Sequence, residues 1–349
     1  MLPLTSRPRA LTTVDALLTE GLAHPDRVAE LRQVTSEFRL RISPLMREAM
    51  GNLATGPLAR QFVPTPAELD VRPEERTDPI GDLTHKVAPG LTHRYPDRVI
   101  LAVTQSCDVY CRFCFRRETV GGDGALSDAD LDAACAYIAA HPAIWEVVLT
   151  GGDPLSLSAR RIGAIMDRLS RIPHLGIIRF HTRVPVVFPE RITPALIRAL
   201  KVRPAVYMVI HTNHAQELTG VSCAALARLA QAGIPLLSQT VLLKGINDDP
   251  DTLEDLFRTL LRNRVKPYYL HHSDLARGTG HFRTSISAGQ AIMKVLRGRL
   301  SGTALPTYVL DIPGGFGKVP IGPAYLTPDA GGWRVTDPQG HSHLYRDPV

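Results

Sequence analysis

The feature that most constrains the fold is a recurrence of short apolar runs. They occupy Val99–Thr104, Glu146–Thr150, Gly176–His181, Ala205–His211, Pro235–Leu243 and Lys266–His272, and from the second onward their starts lie about thirty residues apart. That interval is the length of one strand plus the crossover helix a parallel neighbour requires. Between the runs, Ser127–Ala140, Ser158–Ser170, Ala224–Ala232 and Thr252–Arg262 carry apolar residues at three- and four-residue intervals, the spacing of a helix with one buried face. Near-continuous apolar strands covered by helices make a parallel α/β sheet. Six units fall short of the eight of a closed barrel, so the pattern predicts a partial, open (β/α)6 barrel over residues 99–303.

The flanks differ. Residues 1–98 read as a cap of helical pieces (Thr13–Leu22, Asp26–Gln33, Pro44–Met50), then a proline-punctuated stretch from Pro57 to Pro89. Ser43 followed by Pro44 is a helix-start signal. Residues 304–349 follow a last helix, Ala288–Leu300. They hold a strand-like run, Pro306–Ile312, a Gly/Pro-rich segment and a short hairpin around Asp337–Gly340. With 349 residues, 44% hydrophobic and 21% charged, the composition is that of a globular protein with a sizeable core. It excludes a disordered tail or a collagen-like fibre. No apolar run approaches the roughly 18 residues a spanning helix needs, and Met1–Ala10 lacks a leader's apolar core. A cytoplasmic location is the expectation.

The net charge of +6 suits acidic ligands or an arginine-covered surface, and both readings stand. No basic run with interleaved aromatics argues for nucleic acid. Only six of the 40 basic residues are lysines: Lys86, Lys201, Lys244, Lys266, Lys294 and Lys318. An amine needed for covalent work therefore has few candidates. Of five cysteines, Cys135 and Cys223 stand alone, whereas Cys107, Cys111 and Cys114 fall within eight residues. The odd number and the missing leader argue against a disulfide framework. The cluster follows the first strand, at the sheet end where parallel α/β proteins place their chemistry. Three thiolates can hold three irons of a [4Fe–4S] cube and leave the fourth open to another ligand. Zinc, which would need a fourth ligand nearby, and plain packing remain alternatives.

The Cys-x3-Cys-x2-Cys spacing resembles the radical S-adenosylmethionine (SAM) superfamily. Gly151-Gly152-Asp153, after the second strand, resembles that superfamily's SAM-binding turn; there glycines let backbone approach the methionyl amine while carboxylate and carbonyls accept hydrogen bonds. From about Pro64 to Pro323 the chain further resembles the lysine 2,3-aminomutase family. That resemblance implies a phosphate clamp for pyridoxal 5'-phosphate (PLP) at Arg94 and Arg98 in His93–Arg98, although Arg98 could simply pair with Asp97. It makes Arg116 the binder of the substrate α-carboxylate, with Arg117 its confusable neighbour. Lys318, closing Asp311-Ile-Pro-Gly-Gly-Phe-Gly-Lys, becomes the PLP lysine. Asp274 and Asp311 become the two carboxylates that receive a lysine ε-ammonium, though an aspartate taken alone reads equally as a turn cap. His211 and Gln239, at strand ends, match positions around SAM.

The resemblance implies an isomerase that converts L-lysine to β-lysine by 1,2 amino migration. Its cofactors would be a [4Fe–4S] cluster, SAM and PLP. Its partners would be a low-potential electron donor such as flavodoxin or ferredoxin and, for an oligomeric member, further copies of the chain. The chain also departs from the family. Nothing after Cys223 is cysteine, which weakens the expectation of the family's structural zinc and larger oligomer. His271 stands where the free-lysine enzymes usually have tyrosine, a trait of the branch that isomerises lysine for modification of elongation factor P. The intact Asp-x-Pro-Gly-Gly-x-Gly-Lys run points instead to the free-lysine branch. A different amino acid substrate, such as glutamate or arginine, and a non-catalytic iron–sulfur or zinc-binding module are the remaining alternatives.

Overall fold

The computed structural model describes residues 9–51, 54–122 and 124–348. The part of the leader reading that rests on Met1–Pro8 lies outside the described residues. The apolar runs form strands where the periodicity predicts them. In chain order they are β1 (Lys86–Ala88), β2 (Leu91–Tyr95), β3 (Arg98–Thr104), β4 (Glu146–Gly151), β5 (Ile177–Thr182), β6 (Ala205–His211), β7 (Leu236–Val241), β8 (Val265–His271), β9 (Thr307–Asp311) and β10 (Lys318–Pro320). All ten lie in one sheet in that same order. Pairing is parallel from β3 to β9 and antiparallel at the two edges, through β1–β2–β3 and β9–β10. Because β1 and β10 are edges, the barrel stays open.

Two physical devices set the helices. Ser127, Ser158, Thr219, Asp249 and Ser285 each accept the backbone N–H three residues on, and so start the helices on the outside of the sheet. Apolar residues at helical spacing then turn one face inward, as with Ile162, Ile165, Met166 and Leu169, or Leu253, Leu256, Phe257 and Leu260. The helices are α1 (Val14–Thr19), α2 (Val28–Glu37), α3 (Pro44–Met50), α4 (Pro57–Phe62), α5 (Asp128–Ala140), α6 (Ala159–Ser170), α7 (Val184–Val187), α8 (Pro194–Ala199), α9 (Gly220–Gln231), α10 (Pro250–Arg262) and α11 (Ile286–Arg299). α4 lies inside the stretch read as irregular, because Pro57 sits at the first helical position, where its missing N–H costs nothing.

The sheet runs through both expected segment boundaries. β1 and β2 extend it ahead of residue 98, and β9 adds a seventh parallel strand by pairing Tyr269 with Thr307. One core likewise joins Leu17, Met46 and Phe62 of the N-terminal helices to Leu101, Leu149 and Phe180 of the strands and to Tyr308 of β9. The tail is a separate antiparallel meander, β11 (Leu326–Asp329), β12 (Gly332–Thr336) and β13 (Ser342–Tyr345), whose second turn is the expected hairpin. Among the described residues no helix is long and apolar enough to cross a membrane.

Candidate active site

The loops after the parallel strands surround a cavity of about 740 Å³. Every site residue expected from the sequence lines it: Cys107, Cys111, Cys114, Gly151, Gly152, Asp153, His211 and Gln239, together with Arg94, Arg98, Arg116, Asp274, Asp311 and Lys318. Parallel strands in sequential order point all their carboxyl ends the same way, which is how residues more than two hundred positions apart come to share one space.

The cysteines occupy the loop between β3 and α5. Burial pushes all three thiols above their usual range, Cys114 to about 11. The other two thiols raise Cys107 further, after burial and Asp153, and Cys111 does the same to Cys114. Buried sulfurs that repel one another as thiolates suit a cationic group shared between them. Among the described residues no three His, Cys, Asp or Glu side chains close on a single ion. Three thiols on one loop fit a polynuclear cluster that meets each sulfur at its own iron.

Gly151 and Gly152 hold this loop against β4. Gly151 has φ +123°, and a Cβ there would lie 2.1 Å from the Thr104 carbonyl oxygen; one on Gly152 would lie 2.2 Å from that of Ser106. The Gly152 and Asp153 N–H groups donate to those same carbonyls at 2.6 and 2.8 Å. The glycines thus dock the turn on the cysteine loop, a requirement within the protein that the sequence reading assigned to the ligand. Asp153 is also engaged: its carboxylate accepts from Leu155 N–H, the Thr182 hydroxyl and Arg183 N–H, while burial lifts it to about 6. His211 stacks on Phe113 of the cysteine loop with ring centroids 5.6 Å apart. Its Nδ1 lies 3.5 Å from the Gln239 amide, and its Nε2 is buried without a partner.

The second half of the site gathers at β8–β10. The Lys318 ammonium pairs with Asp311 and lies 3.2 Å from His271 Nδ1, while its backbone N–H donates to the Tyr95 hydroxyl at 2.9 Å. Burial would raise Asp311, but the His271 and Lys318 contacts hold it well below the usual carboxylate range. Asp274 has no hydrogen bond or ion pair among the described residues. Burial, then the Asp311 charge, lift it to about 7. His271 is pushed down by burial and by Lys318, leaving a neutral ring with Nε2 unpartnered. His181, also lining the cavity, is neutral for the same first reason and likewise has an orphaned Nε2. Orphaned buried nitrogens aimed at a cavity are what a polar ligand would satisfy.

The arginines separate by role. Arg116 turns into the cavity, whereas Arg117 turns away to Glu68 and the Gly278 carbonyl. Arg94 is 7% exposed and its Nε is buried without a partner, so an anion has a donor waiting. Arg98 pairs with Asp97 at 2.7 Å and stacks over Tyr95, and it still lines the cavity. Lys318, Arg94 and Arg98 together suit a phosphorylated aldehyde. Sequence reasoning missed Arg183, whose guanidinium donates to Cys111 Sγ at 2.7 Å and is held by Gln61 at 2.6 Å and Glu217 at 2.7 Å. It follows β5 as Gly152 follows β4, so the strand-end rule would have found both it and His181.

Comparison with known proteins agrees with this geometry. The radical SAM superfamily model matches residues 101–257, which include the cysteine loop and the Gly151–Asp153 turn. The class is thus a radical SAM protein with a [4Fe–4S] cluster and SAM. The lysine-2,3-aminomutase model matches residues 293–334, around Asp311 and Lys318. The L-lysine 2,3-aminomutase of Fusobacterium nucleatum is 44% identical over 271 residues, covering 77% of this chain and 64% of that protein. That of Escherichia coli is 34% identical over 319 residues, covering 87% and 93%. The glutamate 2,3-aminomutase of Clostridioides difficile is 40% identical over 298 residues, covering 85% and 70%. The chain belongs to the lysine 2,3-aminomutase family, whose members are PLP-dependent isomerases.

Proposed function

We propose that this isomerase moves the amino group of L-lysine from C2 to C3, giving β-lysine. The observation that carries the choice of lysine is Asp274, a half-buried carboxylate that lines the cavity beside Asp311 and has no hydrogen bond or ion pair among the described residues. A substrate ammonium would satisfy it; the second carboxylate of glutamate would meet two anions. A bound cluster would supply an electron for cleaving SAM, and bound PLP would supply a conjugated system able to delocalise an unpaired electron. The chain's own residues bind and orient. Cys107, Cys111 and Cys114 would hold the cluster, and the Gly151–Asp153 turn, His211 and Gln239 would surround SAM. Arg94 and Arg98 would hold the PLP phosphate, Lys318 its aldehyde carbon, and Arg116 the substrate carboxylate. His271 faces both the Lys318 amine and Asp311, so it can hold a proton that Lys318 gives up.

The cluster needs a one-electron reductant of the flavodoxin or ferredoxin class. His271 in place of tyrosine favours a second setting for the same reaction, lysine isomerised for modification of elongation factor P. The test is anaerobic incubation of reduced protein, SAM and PLP with lysine, glutamate and arginine in turn, with products resolved by chromatography and mass. β-Lysine from lysine alone is expected; migration on glutamate would refute the assignment.

A further inference from the structure

Asp82 has no part in the roles above, yet it touches two of the arginines that carry them. Its Oδ2 accepts from Nε and Nη2 of Arg116 at 3.0 and 2.8 Å, and its Oδ1 accepts from Nη2 of Arg94 at 2.9 Å. The remaining nitrogen of Arg116, Nη1, donates to the Thr150 hydroxyl at 3.1 Å. A guanidinium has five N–H groups. Three are used here, and the two left over are one on each Nη, the pair that a carboxylate takes from a terminal fork. Two guanidinium groups facing one cavity would repel and splay without an anion between them.

Asp82 is itself fixed. The Asp78 carboxylate accepts from the Asp82 and Leu83 N–H groups, each at 2.9 Å. The preceding residue, Gly81, packs backbone to backbone on Gly314, so closely that a Cβ would lie 2.6 Å from the Gly314 carbonyl carbon. The turn holding Asp82 therefore abuts the glycine loop that leads to Lys318. We propose that Asp82 is a positioning residue: one carboxylate sets Arg116 for the substrate α-carboxylate and Arg94 for the cofactor phosphate. This rests on reading the cavity as a PLP and amino acid site.

Asp82→Asn keeps the side chain's size and removes its charge. In the PLP-loaded enzyme the KM for L-lysine should rise roughly 10- to 100-fold with a much smaller change in kcat, and PLP should bind more weakly. The control is 1,5-diaminopentane, lysine without its carboxylate, whose inhibition constant should stay within about twofold. A merely structural lesion would weaken both ligands alike. Equal loss of both, or loss of neither, overturns the proposal. Should Asp82→Asn fail to fold, Asp82→Glu, which keeps the charge but moves it by one methylene relative to both arginines, carries the same lysine-to-diamine test. PLP uptake and lysine turnover by the wild type are scored separately and test the reading of the site; the lysine-to-diamine ratio in the variant tests Asp82.

Discussion

Asp274 shows how burial prepares a residue for a ligand. Unfolded, an aspartate loses its proton near pH 3.9; in this cavity it does so at about 7. Between those values the folded chain holds a proton that the unfolded chain has lost, so this group's contribution to the stability of the ligand-free protein declines as pH rises from about 4 to about 7. Asp274→Asn removes that dependence. The variant should melt above the wild type at about pH 8, with the gap closing toward about pH 4. Thermal unfolding across pH checks this; a variant melting below the wild type at the alkaline end would contradict it. Single residues were also where the sequence was least decisive. Composition and spacing do not separate adjacent Arg116 and Arg117; the family resemblance picks Arg116, and the fold sends it to the cavity and Arg117 to Glu68.

At the scale of elements, the cysteine loop owes its shape to a buried charge cluster. Glu68 is fully buried and accepts from Arg112 Nε at 3.0 and 3.1 Å and from Arg117, the two arginines that flank Cys114. The Arg112 and Arg117 charges hold the Glu68 carboxyl below its usual range against the pull of burial. Glu68→Gln would leave two buried guanidinium groups without a counter-charge and should cost about 3–5 kcal/mol. Urea unfolding of the metal-free chain measures it; a loss under about 1 kcal/mol would show that the pair is not structurally important. The parallel strands and their helices were legible because a buried strand and a one-faced helix impose periods of their own. β1 and β2 were not, since three and five residues are too few to show a period and their pairing depends on β3, which they flank. Glu68 and Asp82 lie in the proline-punctuated stretch, where no period marks what a side chain touches.

Over the whole molecule, the sequential strand order accounts for the function. It brings the loop after β3, the turn after β4 and the loop between β9 and β10 to one rim, so thiols and a lysine amine line one cavity. A core running from Leu17 to Tyr308 makes the cap, the sheet and β9 one packed body. The motifs located both halves of the site in the sequence; that they share a cavity is a property of the winding. The most direct test of the shared cavity is an iron assay and absorbance spectrum of anaerobically prepared protein loaded with PLP, run beside two variants. We predict about four irons per chain and one lysine-bound PLP in the wild type, loss of the PLP band alone in Lys318→Ala, and loss of the iron–sulfur absorbance alone in Cys111→Ala. Zinc in place of iron, or a PLP band that survives Lys318→Ala, would contradict the account.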